Sequence, residues 1–246
     1  VTTGSYNTGM GWGVLQKNNG DSNVGVGDAS MLENTVGSYN TAIGTNTLFN
    51  NQFGNQNVAI GASALQDNIG VSGSDTKGHR SVAVGTSAMQ KNTTGNGTAI
   101  GERALQNQLT GTYNIALGQQ AGSGITTGSF NIVVAATGFV SPGGGITTGS
   151  NNLIIAQNAG NTTGITTGSG NTIIGKVTGL PAATANTVIL SDGVGTQRLV
   201  SNSTNLTTLP AQTTALITGD VGGKSILTKE YLGTRIGTVA PASATA

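Results

Sequence analysis

Apolar residues in this chain do not fall into long runs; they return in short clusters at nearly constant intervals. The clearest cluster reads Asn-x-Ala-Ile-Gly. It is unbroken at Asn40-Thr41-Ala42-Ile43-Gly44 and Asn57-Val58-Ala59-Ile60-Gly61, with looser copies at 23–27, 81–85, 97–101 and 114–118. The closing residues Gly11, Gly27, Gly44, Gly61, Gly85, Gly101 and Gly118 are 16, 17, 17, 24, 16 and 17 positions apart. Four positions beyond these glycines an apolar residue often follows: Leu15, Met31, Leu48, Leu65, Met89 and Leu105. Turn formers such as Asn92-Thr93-Thr94-Gly95 separate the units. A register held over such a distance predicts stacked coils, each read as strand, turn, second short strand, turn.

Within an extended pentad, Ala42 and Ile43 face opposite ways, so both faces of the strand are apolar. A lone coil has a use for one of them. The simplest assignment puts the alanines inside a narrow coil and packs Ile43, Ile60, Val84, Ile100 and Leu117 against another subunit.

The regular section spans 1–122. From 123 to 190 the pattern loosens into longer coils. Gly-Ile-Thr-Thr-Gly-Ser occurs at 124–129, 145–150 and 164–169, and Ala135 and Ala156 stand where a closing glycine is expected. Beyond Ser191-Asp192-Gly193 the repeat stops. Residues 191–236 read as a capping or neck-like β and coil segment, and 237–246 as a linker or truncated tail. The chain also opens in mid-pattern, at Thr3-Gly4-Ser5-Tyr6-Asn7, which suggests a piece of a longer polypeptide.

Composition narrows the chemistry. Only 8 % of the 246 residues are charged, against about 25 % in ordinary globular domains, and 41 are glycine without a collagen period. A formal net charge of +1 gives no polyelectrolyte argument for nucleic acid. No stretch is long and apolar enough to insert into a membrane. Without cysteine there are no disulfides or thiolate metal sites, and a single histidine with nine scattered acidic residues shows no metal-ligand spacing. No nucleophile motif, Walker sequence or histidine-based triad is present, so no catalytic residue, metal or cofactor is assigned and the chain is read as a non-enzyme. Glycine pairs such as Gly25 and Gly27 follow the coil period and open no βαβ unit.

Two sets of residues are candidates for recognition. Residues 70–79 add about seven positions to one coil and carry Asp75, Lys77 and His79, with Arg80 beside them; an insertion at a turn projects outward. The aromatic residues Tyr6, Tyr39, Tyr113 and Phe130 each precede the leading Asn of their coil. There they either stack on a glycan or cover turn backbones and subunit seams.

The pentads with their following leucines, Leu48 and Leu65, resemble the head repeats of YadA-like trimeric adhesins, and similar repeats occur in bacteriophage tail fibres. The resemblance covers 4–122 well and 123–190 loosely. It implies an all-β fold: a left-handed parallel β-roll (β-solenoid) in each subunit, with three rolls side by side as a homotrimer and the isoleucine position near the trimer interior. Ser81 and Gly97 depart from the pattern at the leading Asn. No neck and heptad stalk follow residue 190; Lys224–Leu232 and the small-residue tail look more like a phage tail-fibre junction. The expectation is therefore a virion fibre segment for host-cell attachment. Its partners would be other tail proteins and a host surface glycan or protein. The alternatives are the head of a bacterial trimeric autotransporter adhesin at the cell surface and a structural spacer that binds no receptor. A depolymerase fibre would need an acidic pair between subunits. An ice-binding solenoid would need a Thr-x-Thr ladder in every coil, whereas the paired threonines here cluster in turns.

Overall fold

The computed structural model describes residues 3–73, 78–137, 145–158, 165–177, 179–192, 196–202 and 207–208. Among these residues there is no helix. Thirteen strands form one sheet in sequence order. They are β1 (Thr8–Met10), β2 (Val24–Val26), β3 (Thr41–Ile43), β4 (Val58–Ile60), β5 (Val82–Val84), β6 (Gly97–Ile100), β7 (Asn114–Gln119), β8 (Ile132–Thr137), β9 (Leu153–Asn158), β10 (Thr172–Ile174), β11 (Val188–Ser191), β12 (Gln197–Ser201) and β13 (Thr207–Thr208). From β1 to β11 every pairing is parallel, and equivalent residues stand in register: Ala42 opposite Ala59, Ala59 opposite Ala83, Ala83 opposite Ala99. The chain is an all-β solenoid with one strand per coil.

The inner face of the sheet and the opposite wall of the coil make the core. Ala42, Ala59, Ala83, Ala99 and Ala116 are fully buried, as are Leu48, Leu65, Met89 and Leu105 from the turn segments. Alanine suits the strand side because a narrow coil leaves no room for more; the long side chains fill the space from across.

That opposite wall differs from the expected second strand. Its residues alternate into the left-handed region, at φ 51 and 49 for Ala29 and Met31, 54 and 47 for Asn46 and Leu48, 56 and 49 for Ser63 and Leu65. No L-residue strand passes through such angles. The segment still forms ladders: Asn46 donates its N–H down to Asp28 O at 2.9 Å and Leu48 donates up to Ala64 O at 3.0 Å. Each left-handed non-glycine residue costs roughly 1–2 kcal/mol. Cross-coil hydrogen bonds and leucine burial offset that strain.

The closing glycine starts this wall. Gly44, Gly61 and Gly85 have φ of 133, 120 and 130, and a Cβ on Gly61 would meet Gly85 C at 2.7 Å. Ala135 and Ala156 occupy the equivalent place in β8 and β9, which run on past it, so no sharp turn is required there.

Two buried asparagine ladders link successive coils. In the first, Asn40 donates its N–H to Asn23 Oδ1, Asn57 to Asn40 Oδ1 and Ser81 to Asn57 Oδ1, each at 2.9 Å. In the second, Asn51 Nδ2 donates to Asn34 Oδ1 at 2.6 Å, and the bonds from Asn68 to Asn51 and from Asn92 to Asn68 are both 2.8 Å. Both ladders meet at glycine carbonyls: Gly54 O accepts from Asn40 and from Asn51, and Gly78 O from Asn57 and Asn68. Polar side chains buried in this way are satisfied and fix the register.

At Ser81 the first ladder is interrupted, and it resumes at Asn114, whose Oδ1 accepts the Asn131 N–H at 2.9 Å. The shorter side chain of Ser81 leaves its Oγ buried without a hydrogen-bond partner. In the next coil Asn96 Oδ1 accepts the Tyr113 N–H at 3.0 Å. Ser81→Asn is expected to restore the missing rung and add about 1 kcal/mol of stability. The readout is a higher urea midpoint at unchanged slope; an unchanged or lower midpoint would refute it.

The insertion leaves the stack intact. Gly70 donates to Thr93 O at 2.8 Å and Gly78 to Thr94 O at 3.0 Å, and the two glycines close on each other at the base. At the other end, β12 folds back antiparallel on β11 and β13 pairs with β12. The connection is held by Asp192, whose carboxylate accepts the Thr196 N–H at 2.8 Å and pairs with Arg198 at 2.7 Å. Lys224–Leu232 and 237–246 lie outside the described residues.

Candidate recognition surface

Parallel sheets are ordinarily covered on both faces. Here the inner face is covered by the leucine wall and the outer face is not. Ile43, Ile60, Ile100 and Leu117 remain 41, 38, 43 and 37 % exposed, and Val84 is half-buried. The column continues through Ile155, Ile174 and Leu190, all exposed. A second column, two positions earlier in each strand, was not assigned from the sequence. It contains Val24, Ile115, Ile132 and Val188, all exposed, with Val58 and Val82 half-buried, and is interrupted by Thr41, Thr98 and Thr172. The signal was available, since period-two alternation puts the x of Asn-x-Ala-Ile on the same side as the isoleucine. Eleven strands at the usual interstrand spacing make a strip roughly 48 Å long, one row apolar throughout and the other a mixture of aliphatic residues and threonine. An apolar surface so regular and continuous is the mark of an interaction face.

Beside this strip runs a third column, immediately before the leading Asn. Tyr6, Tyr39, Gln56, Arg80, Tyr113 and Phe130 all adopt φ between 57 and 60. The four aromatic residues are more than half exposed. Tyr113 and Phe130 occupy successive coils, so the coil rise itself sets their stacking, with ring centroids 5.1 Å apart and planes at 21°. Tyr6 and Tyr39 stand two coils apart.

Of the insertion residues, Asp75 and Lys77 lie outside the described residues. His79 is buried, and its Nδ1 accepts the Asn55 N–H at 2.9 Å. It thereby takes the place held in adjacent coils by Asn55, which accepts the Ser38 N–H, and by Ser38, which accepts that of Asp21. Arg80 is exposed, and its Nε donates to Gln56 Oε1 at 3.1 Å. Arg80, Gln56 and Tyr39 line a cleft of ≈ 420 Å³ with Val36 at its rim and His79 at its base. Gln56 and Val36 were not singled out in the sequence, because neither belongs to a motif; only the stacking of coils places them beside Tyr39 and Arg80.

Among the described residues, no three His, Asp or Glu side chains gather in a way that could hold a metal ion. No helix there is long and apolar enough to cross a membrane. Comparison with family models, curated proteins and solved structures gives no match to this chain.

Proposed function

We propose that this chain is the solenoid segment of a side-by-side homotrimeric attachment fibre, each subunit a left-handed parallel β-roll. The observation that carries the reading is the uncovered outer face of a parallel sheet, with its unbroken in-register apolar column that includes Ile43, Ile60 and Val84. Three such faces turned toward a common axis would bury what one chain leaves in water, and a threefold arrangement is closed. The resemblance of the pentads to YadA-like adhesin heads and phage tail-fibre repeats supplies the number three. The sequence beyond residue 190 favours a virion tail fibre over a bacterial surface adhesin. Attachment follows from multiplicity, since three copies of a weak contact on one rigid body bind a repetitive host surface far more tightly than one.

The test has two arms. Sedimentation equilibrium should give three chains per particle at micromolar concentration, and labelled protein should adhere to intact host envelopes at sub-micromolar concentration. A monomer in the first arm sinks the assembly. Trimers that adhere to no envelope leave a spacer, and the attachment role fails.

A further inference from the structure

We infer that the cleft between Tyr39 and Arg80 is a binding site for a sugar ring bearing a carboxylate. The inference rests on the attachment reading for its biological setting and on the cleft alone for its chemistry. Its volume, ≈ 420 Å³, lies within the range of about 300–1,000 Å³ typical of small-molecule sites.

Three coils supply one wall each. Tyr39, Gln56 and Arg80 are consecutive members of the left-handed column, at φ 60, 58 and 57, and their backbones are tied coil to coil: Gln56 N–H to Ser38 O and Arg80 N–H to Asn55 O, both at 3.0 Å. Two coil rises separate Tyr39 from Arg80, about 10 Å of backbone and close to the span of one monosaccharide with its substituents. Tyr39 is 64 % exposed, and its ring has an apolar face of the kind that stacks on the C–H face of a pyranose.

Arg80 decides the charge of the ligand. Its Nε donates to Gln56, and the two terminal nitrogens form no hydrogen bond or ion pair with a described residue. Those nitrogens form an end-on fork whose geometry matches the two oxygens of a carboxylate. Among the described residues that line the cleft none is acidic, and Arg80 offers a positive charge to an incoming carboxylate. The amide of Gln56 stays beside the fork, where its N–H can donate to a ring hydroxyl.

The experiment uses the assembled full chain with three probes: sialyllactose, neutral lactose and lactose sulfate, followed by saturation-transfer NMR and titration calorimetry. Sialyllactose should bind in the millimolar range per site, with saturation passing from aromatic protons to the sugar, and lactose at least tenfold more weakly. Arg80→Ala and Arg80→Lys should each lose tenfold or more for sialyllactose, the lysine because it lacks the fork. Tyr39→Ala should abolish the aromatic transfer. All variants should keep the melting temperature and sedimenting mass of the parent. Equal binding of lactose, preference for the sulfate, or retention of sialyllactose binding by Arg80→Ala would each overturn the assignment. Envelope adhesion, measured in parallel, separates the two readings. Adhesion that survives Arg80→Ala unchanged overturns the cleft as the attachment site and leaves the fibre an adhesin. Sialyllactose binding by a protein that adheres to no envelope supports the cleft and removes the attachment role.

Discussion

Replacing Ile60 and Ile100 together with lysine is expected to turn the proposed trimer into a monomer that remains folded. Both side chains point away from the coil core and are 38 and 43 % exposed in the single chain, so the change removes little that holds the coil together. In the proposed trimer the same atoms would be buried. Full burial of an aliphatic side chain contributes about 1.5–3 kcal/mol, and the exposed fraction here corresponds to roughly 1 kcal/mol per residue. Two sites in three subunits remove on the order of 6 kcal/mol, before the penalty of bringing six ammonium groups toward one axis. Sedimentation equilibrium should show the mass falling to a third, with the far-ultraviolet circular dichroism of the parent retained. A double variant that still sediments as three chains would place the subunit contact on another face.

The largest effect on folding is expected at Gly61. Its φ of 120 lies where L-residues are strained, and a Cβ there would stand 2.7 Å from Gly85 C and 2.8 Å from Gly85 O. The obstacle is backbone and cannot rotate aside. To admit a methyl group, two coils must part, and the hydrogen bond from the Gly85 N–H to Ile60 O at 2.8 Å stretches with them. Gly61→Ala should therefore cost at least about 3 kcal/mol through dihedral strain and the lost contact. Chemical denaturation of the assembled protein measures it. Ala135→Gly is the matched control. That residue already fills the equivalent place inside a continuing strand, and the substitution should cost only about 1 kcal/mol. Equal losses at the two positions would mean that the turn after the pentad does not require glycine.

The stacking was legible because three kinds of residue recur at one period: the pentad alanine, the closing glycine and the leucine four positions on. Each has a steric reason to be where it is, and position alone reveals it. Other features left no such trace. The left-handed angles at Met31, Leu48 and Leu65 fall on residues that ordinarily avoid them, so an apolar position in that phase reads as strand. The second asparagine ladder, with Asn34, Asn51, Asn68 and Asn92, is equally periodic, yet an Asn two or three residues before a Gly has the composition of a solvated turn. His79 illustrates the same ambiguity. Its sequence neighbourhood is an inserted polar loop, while its coil position is a buried acceptor that a serine or asparagine fills elsewhere. As for the cleft, Tyr39 and Arg80 stood out singly in the sequence. Their pairing across Gln56 emerges only when a coil of 17 residues is followed by one of 24 and the stacking register absorbs the difference.

That absorption also bears on how such a chain can change over generations. Gly70 and Gly78 meet at the base of the insertion, each bonded to the following coil, and Gly78 resumes the carbonyl position that Gly54 holds one coil earlier. Closing a longer loop at a fixed base adds only about 0.6 kcal/mol for each doubling of its length. The segment between the two glycines is thus free to vary in length and sequence almost independently of the scaffold. Whatever is written between them, the coil below meets the coil above in the same register.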